Sequence, residues 1–234
     1  MQRITHYFMK KCLFLLLCAG PLVSYGQINE PLKRELDSMF VLDQRYRSYI
    51  SEIHKNKKLA DSLMAAFNSK ENLNRTLWKY QNRVDSSNQI RTREIIKTYG
   101  YPGSSLVGKP THMAAWHIIQ HSPDIAVYFP IIEKAGQANE LPLSLVAMMQ
   151  DRLLTEQRKP QIYGTQASCY RLRADPGKQE CFIWPIENPA TVNERRKKAG
   201  FTQTVEENAK RLDVAYQVLT MEAIKQRYMI GDEK

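Results

Sequence analysis

The sequence predicts a mainly α-helical protein: a single helical domain with two buried central helices and one short β-hairpin near the C-terminal third. Three observations predict this fold. Apolar residues recur every three or four positions over long stretches, two shorter stretches are apolar on all sides, and one region, residues 161–186, resembles paired strands. No repeat or low-complexity linker divides the 234 residues, so we expect one domain.

The first 26 residues predict a signal peptide. Lys10 and Lys11 precede a short apolar core, residues 12–18, and small and turn-forming residues follow up to Gly26. The core is too short for a stable anchor, and no later stretch reaches the roughly 18 apolar residues that a transmembrane helix needs. We therefore expect an exported protein, periplasmic or extracellular, with no transmembrane segment and a mature domain at residues 27–234.

Acylation of Cys18 is the alternative fate of this N-terminal segment. A cysteine at the end of an apolar run can carry a lipid anchor in bacterial envelopes. Leu17 argues against this alternative, because a small residue normally occupies that position. We favour cleavage after Gly26, which would leave a protein without an anchor.

The chain is basic, and part of its charge belongs to the signal peptide. Its formal charge of +10 falls to +7 when Arg3, Lys10 and Lys11 are removed. The remaining basic residues are interspersed with acids, as in residues 33–35 and 194–198, which is typical of solvated helix faces. We expect no nucleic-acid partner outside the cytoplasm, and the charge pattern leaves the oligomeric state open.

Cysteine usage predicts one disulfide. Cys12 and Cys18 leave with the signal peptide, so Cys169 and Cys181 are the only cysteines of the mature chain, in a compartment where thiols oxidise. The turn-forming residues 175–177 lie between them. Chain entropy gives such a link about 3 kcal/mol of stabilisation if it is unstrained. Zinc is a poor alternative, because there are only two thiols and no CxxC pair.

Helical spacing accounts for the first part of the mature chain. Asn29 is a typical N-cap and begins a long amphipathic helix. After a lysine-rich joint at residues 55–58, apolar residues again recur at three and four positions as far as Tyr99. Gly100 ends this region, because glycine readily adopts the conformation that terminates a helix.

Two later segments predict helices inside the domain. Residues 113–119 and 142–154 carry apolar groups on all sides, as buried helices do. A helix with an internal Pro130 connects them. Residues 193–199 form a further short helix, and apolar residues at helical spacing predict a long C-terminal helix over residues 204–229.

Polar residues interrupt both buried helices. His117, Gln120 and His121 form one stripe on the first helix, and Asp151 and Arg152 interrupt the second. Because a buried polar group needs a partner, water or a ligand, these residues are candidates for a functional site. In a catalytic site His121 would be the general acid or base, Asp151 would orient it, and Arg152 would hold an anionic or carbonyl oxygen.

Residues 161–166 add further candidates for ligand binding. They read Gln-Ile-Tyr-Gly-Thr-Gln, and Gly164 would allow a close backbone approach. Their amide, phenol and hydroxyl groups suit a polar ligand such as an envelope glycan or peptide. The predicted ligand-binding residues are Gln120, Arg152, Gln161, Tyr163, Thr165 and Gln166.

Known catalytic and metal-binding patterns are absent from the sequence. His117 and His121 have the i, i+4 spacing of a metal pair, but there is no HExxH motif and no obvious third ligand nearby. No GxSxG turn supplies a nucleophile. We therefore expect neither a metal nor a cofactor.

A purely structural role for these polar residues is the alternative. Tyr163 and Gln166 would then hydrogen-bond the ends of the buried helices, and His121 would be a satisfied interior histidine. Asp43 and Arg47 are expected to pair on a solvated face of the first helix and to contribute little.

Several short motifs carry a family resemblance. They are Asp43-Gln44-x-x-Arg47, Gly100-x-Pro102, Ala114-Ala115-Trp116 with Gln120-His121, Asp151-Arg152, and Pro160 followed by Gln161-Ile162-Tyr163-Gly164-Thr165-Gln166. Together they resemble a bacterial family catalogued as domain of unknown function 6624, over most of residues 36–201. The resemblance implies no activity. It implies that position 117 is usually aliphatic, which weakens the metal pair, and that the cysteine loop is an insertion of this member.

Three hypotheses about function follow. We prefer a binding module of the cell envelope with a polar pocket around His121, Asp151 and Tyr163. The second hypothesis is a hydrolase-type enzyme that uses His121 with Asp151, and the third is a purely structural role for these residues. The first two require His121 to lie in a cleft within hydrogen-bond reach of Asp151, Tyr163 or Gln166.

Overall fold

Helices dominate the computed structural model, which describes residues 27–69 and 72–231 and confirms the mainly α prediction. The predicted signal peptide and Cys18 lie outside the described residues. In chain order the elements are α1 (Glu30–Glu52), α2 (Lys57–Ala66), α3 (Leu73–Tyr99), α4 (Ser104–Val107), α5 (Ala114–Ile119), α6 (Ile125–Gln137), α7 (Leu143–Glu156), β1 (Ala167–Arg171), β2 (Gln179–Ile183), α8 (Val192–Lys198), α9 (Val205–Arg211) and α10 (Met221–Arg227).

The two longest helices, α1 and α3, begin after asparagine caps, and α3 ends at a glycine. The side chain of Asn29 accepts a hydrogen bond from the backbone N–H of Leu32, which caps α1. Asn72 caps α3 in the same way through the N–H of Arg75. Gly100 ends α3 with a φ of 73°, a conformation that favours glycine.

The predicted pair of buried central helices is confirmed in α5 and α7. The faces of α1 and α3 pack against α5, and Leu36, Ile95 and Ile118 meet in one apolar cluster. The indole of Trp116 donates a hydrogen bond to the carbonyl of Leu145 at 2.9 Å, which joins α5 to α7. Apolar burial therefore holds the outer helices around this pair.

The predicted hairpin is also present, although its strands lie at other residues than expected. Cys169 faces Cys181 across β1 and β2, and the predicted disulfide joins them. Residues 161–166 precede the strand instead of forming it, and Gln161 makes only an isolated bridge to Ile186. The reason is that Gly164, with a φ of 67°, interrupts the extended conformation.

The predicted C-terminal helix over residues 204–229 is wrong as a continuous element. It is divided into α9 and α10 by an irregular segment, in which Asp213 has a φ of 57°. Val214 turns inward and packs against Ile183 and Val192. Burial of this apolar segment against the hairpin and α8 outweighs its helical spacing.

A second small apolar cluster joins the hairpin to the end of the chain. Phe182 and Trp184 pack with Ile224 and Tyr228 of the C-terminal segment. The Trp184 indole donates to the carbonyl of Lys159 at 2.8 Å and so links this cluster to the end of α7.

Two features bear on the compartment and the membrane. The disulfide between Cys169 and Cys181 is consistent with an oxidising compartment. Within residues 27–69 and 72–231, every helix is too short or too polar to cross a membrane.

Candidate functional site

A buried loop network surrounds Asp151 on α7. Its Oδ1 accepts hydrogen bonds from the backbone N–H groups of Ile162 at 2.7 Å and Tyr163 at 3.0 Å. Its Oδ2 accepts from the backbone N–H and the hydroxyl of Thr165 at 3.0 and 2.9 Å. Burial raises the pKa of Asp151, and these hydrogen bonds oppose the rise by stabilising the carboxylate. The carboxylate therefore anchors the loop that follows α7.

Gln161 completes this arrangement from the other side of the loop. Its Nε2 donates to the carbonyls of Gln166 and Trp184 at 2.9 and 2.7 Å, and its Oε1 accepts from the N–H of Gln166 at 2.9 Å. The side chain of Gln166 donates to the hydroxyl of Thr165. We call Asp151, Gln161, Thr165 and Gln166 the Asp151 network, whose members hydrogen-bond to one another and to the loop backbone.

The side chain of Tyr163 faces a separate groove. This groove, of about 340 Å³, lies between α6, α7 and α8, and Gln150 and Arg195 also line it. Arg195 is already engaged there, because it donates to the carbonyls of Ile162 and Glu187. His121 is not among the residues that line the groove.

A second polar group is formed by side chains of α1, α3 and α7 together with His121, which lies in the turn after α5. We call it the Arg47 cluster, and its members are Asp43, Arg47, Gln81, Asp85, His121 and Arg152. Nη2 of Arg47 donates to both carboxylate oxygens of Asp85, at 2.6 and 2.7 Å. Gln81 donates to the same carboxylate at 2.7 Å, and Arg47 lies 3.8 Å from Oδ1 of Asp43.

Hydrogen bonding in the Arg47 cluster is incomplete. Among the described residues, Oδ1 of Asp43, Nε of Arg47 and Oε1 of Gln81 are buried and have no hydrogen-bond partner. The side chain of Asp43 is 1% exposed and that of Gln81 is fully buried. Each such atom costs about 1–3 kcal/mol unless water or a ligand supplies a partner. Three such atoms in one place therefore leave an unsatisfied capacity for hydrogen bonding.

Burial also shifts the pKa values of two members of the cluster, Asp43 and His121. Burial raises the pKa of Asp43 to about 6, against the opposing effect of Arg47. Burial also lowers the pKa of His121 to about 4, and the nearby charges of Arg47 and Arg152 lower it further, while Asp85 opposes this. At neutral pH His121 is therefore an uncharged imidazole that can accept a proton.

The predicted site residues are thus divided between two places. His121 and Arg152 lie close enough for their charges to interact, and both belong to the Arg47 cluster. The carboxylate of Asp151 is directed to the loop, and the groove that Tyr163 lines does not include His121. Gln120 contacts its helix neighbour His117, with Nε2 and Nδ1 3.3 Å apart.

Sequence reasoning missed the contribution of α1 and α3. The predicted pair between Asp43 and Arg47 is present at 3.8 Å, but its placement on a solvated face is wrong, because Asp43 is buried and Arg47 bonds more closely to Asp85. The spacing of Gln81, Asp85, Asn88 and Thr92 would have revealed this side of the cluster. These polar residues follow one another at intervals of four, three and four, so they share one helix face.

The described part of the chain contains no group of three His, Cys, Asp or Glu side chains placed to hold a metal ion. The Arg47 cluster itself combines one neutral amide, two guanidinium groups, two carboxylates and a neutral imidazole. Such a set can donate and accept hydrogen bonds, pair with charge and exchange protons.

Fold and site together define a helical protein with a complete polar network, an incomplete polar cluster and a disulfide-linked hairpin. The chain belongs to DUF6624, a family of unknown function, whose model matches residues 31–221. This confirms the family expected from the motifs. No curated protein matches the chain, and no solved structure does. Both polar groups lie within the matched residues.

Proposed function

We propose that the protein is an exported binding module of the cell envelope that takes a small polar ligand at the Arg47 cluster. The observation that carries this proposal is the convergence of three unpartnered buried atoms, on Asp43, Arg47 and Gln81. A glycan or peptide fragment offers hydroxyl, amide and carbonyl groups that would give these atoms partners. Export is supported by the disulfide and by the sequence of residues 1–26.

Partial exposure supports binding over a purely internal role. The side chains of Arg47 and Asp85 are 18% and 17% exposed, and His121 and Arg152 are only half-buried. A ligand could therefore reach the outer members of the cluster while Asp43 and Gln81 form its floor. A network built only for stability would be expected to complete its own hydrogen bonds, as the Asp151 network does.

The test is a binding screen of the purified protein against envelope glycans and peptides, read as an upward shift in melting temperature and confirmed by calorimetry. The site variant is His121→Ala. The imidazole of His121 makes no hydrogen bond to any described residue, so we expect its removal to leave folding largely intact. We expect the same variant to weaken binding of any hit by about tenfold.

His54→Ala is the matched control, because His54 is exposed at the end of α1 and outside the cluster. It should bind every hit as the wild type does. If no compound binds, or if His121→Ala binds as tightly as His54→Ala, the Arg47 cluster is not the binding site.

A hydrolase-type activity at the same cluster is the second candidate. Here the neutral imidazole of His121 would be the general base, and its lowered pKa makes it a weaker base than an ordinary histidine. The carboxylate that would support His121 is Asp85, since Asp151 is committed to the loop. Conversion of a bound compound by the wild type, lost in His121→Ala, would establish this activity, and unchanged compound would exclude it.

A further inference from the structure

Arg152 carries the least compensated charge in the Arg47 cluster. Its guanidinium is half-buried on α7, and no described residue hydrogen-bonds to it or places a carboxylate within ion-pair distance. Burial lowers its pKa, and the charge of Arg47 lowers it further. The acid that favours its charge is Glu156, an exposed residue one turn further along α7.

Arg47 differs in this respect, although it has the same chemistry. Its Nη2 contacts both oxygens of Asp85 at 2.6 and 2.7 Å, so its charge is compensated within the protein. Arg152 is close enough to Arg47 for the two charges to repel each other. The nitrogens of Arg152 keep some contact with solvent, where an anion could reach them, and such an anion would offset the cost of partial burial without a counter-charge.

We infer that the ligand of the Arg47 cluster carries an oxyanion, a carboxylate or a phosphate, and that Arg152 binds it. This inference rests on the proposed binding function and names the chemical class of its ligand. The planar guanidinium presents parallel N–H groups that match the two oxygens of either anion. His121, which is near enough to Arg152 for their charges to interact and is neutral at pH 7, can add one N–H donor.

The two carboxylates of the cluster should repel a bound anion only weakly. The carboxylate of Asp85 is occupied by Arg47 and Gln81. Asp43 lies on the buried floor, and its pKa of about 6 allows it to take up a proton when another anion approaches. The bound oxyanion would therefore face Arg152 and His121 rather than an exposed carboxylate.

The test compares ligands that differ only in charge. Glucuronate is paired with glucose, and N-acetyl-alanyl-alanine is paired with its C-terminal amide, while inorganic phosphate forms the third arm. Calorimetry on the purified protein should show that the charged member of a pair binds at least about tenfold more tightly than its neutral counterpart. Binding in the sugar or peptide arm identifies a carboxylate, and binding of phosphate alone identifies a phosphate.

Arg152→Met should abolish this preference for the charged member, and Arg45→Met should preserve it. Arg45 is the matched control because it is exposed on α1 and its removal changes the net charge equally. Arg152→Lys serves if the methionine variant does not fold, since it keeps the charge but loses the paired N–H groups. We expect it to bind the oxyanion more weakly than wild type while keeping some preference.

A spectroscopic readout separates a bound anion from a structural role of Arg152. The pKa of His121 is lowered by burial, then by Arg47 and Arg152, and slightly by His117, while Asp85 opposes them. An oxyanion at Arg152 adds negative charge beside the imidazole, so the His121 titration followed by NMR should move to higher pH when the probe is bound.

Equal affinity for charged and neutral members would overturn the inference while leaving the proposed binding function intact. A preference that survives in Arg152→Met would also overturn it, because another cation would then hold the anion. If none of the five probes binds at millimolar concentration, the oxyanion inference fails, and the proposed function is decided separately by the wider ligand screen with His121→Ala.

Discussion

The Asp151 network and the Arg47 cluster are both buried polar groups on the same helical frame, and they differ in completeness. Every oxygen of Asp151 accepts hydrogen bonds from the loop that follows α7. The Arg47 cluster leaves Asp43, Arg47 and Gln81 each with an unpartnered atom. The comparison teaches that two polar groups of similar composition can differ in whether the protein satisfies their hydrogen bonds, and the proposed ligand site depends on this difference.

The largest expected effect comes from breaking the complete network. In Asp151→Asn, an amide NH₂ replaces one oxygen that accepts from backbone N–H groups, and the negative charge that these donors stabilise is lost. We expect the free energy of unfolding to fall by about 3 kcal/mol or more, measured by urea denaturation. Asp61→Asn, on the exposed side of α2, should change it by less than about 0.5 kcal/mol. A loss below about 1 kcal/mol for Asp151→Asn would contradict the anchoring role.

A substitution at Gly164 in the same loop should destabilise the protein nearly as much. Gly164 has a φ of 67°, and an added Cβ would lie 2.6 Å from Cγ2 of Val205 and 2.8 Å from Cδ1 of Ile186. Gly164→Ala should therefore lose about 2 kcal/mol or more in the same urea assay. Gly200 has a φ of 82° with open space around it, so Gly200→Ala measures the backbone effect alone, about 1 kcal/mol. Equal losses in the two variants would show that packing around the loop is unimportant.

In the incomplete cluster, pH should reveal two opposing contributions to stability. The pKa of Asp43 is raised from 3.8 to about 6, so its contribution to stability is present at low pH and lost as pH rises through 6. The pKa of His121 is lowered from 6.5 to about 4, so its contribution is present above 6.5 and lost as pH falls through 4. In the wild type the two changes offset each other over the same range.

Single substitutions should separate these contributions. Relative to wild type, Asp43→Asn should be more stabilising at pH 7 than at pH 4 by about 2 kcal/mol. His121→Gln should show the reverse, a relative gain of about 2 kcal/mol at pH 4 over pH 7. Urea denaturation at both pH values measures the differences. Parallel curves for both variants would mean that neither group is buried in the way described.

The smallest expected effects concern two buried threonines. One belongs to the Asp151 network and the other lies near the Arg47 cluster. Thr165 donates its hydroxyl to Asp151, whereas the buried hydroxyl of Thr92, on the α3 face that carries Asp85, has no partner among residues 27–69 and 72–231. Thr165→Val should cost about 1–2 kcal/mol, and Thr92→Val should be neutral or stabilise by up to about 1 kcal/mol, both by thermal and urea unfolding. A similar cost at both positions would show that the Thr92 hydroxyl has an unseen partner.

Much of the fold was predictable because helices and turns are local. Asn29 and Gly100 mark helix ends through their own chemistry, and residues 113–119 identified a buried helix by composition alone. The C-terminal helix was predicted too long, because the helical spacing around Asp213 also suits a segment that packs inward on the hairpin. Whether this segment forms a helix or packs as an irregular chain depends on the hairpin and α8, which are distant in the sequence.

The candidate site was predictable only in part for the same reason. His121 and Arg152 were identified as polar residues on buried helices, and they do belong to one cluster. Asp151 was predicted to orient His121, but its carboxylate accepts hydrogen bonds from backbone N–H groups of the following loop. Nearly every residue carries such an N–H group, so the sequence does not indicate which ones will meet a carboxylate. Arg47 and Asp85 lie 38 positions apart in the sequence, on two different helices, so their contact follows only from tertiary packing.

The small apolar core of Phe182, Trp184, Ile224 and Tyr228 implies that the two ends of the domain differ in stability against local unfolding. It is built from the hairpin and the last helix and lies apart from the apolar clusters around α5 and α7. Because local unfolding needs only the contacts of the part that opens, amide hydrogens of α10 should exchange with solvent earlier than those of α5 and α7. The C-terminal helix would then detach and return while both polar groups keep their geometry.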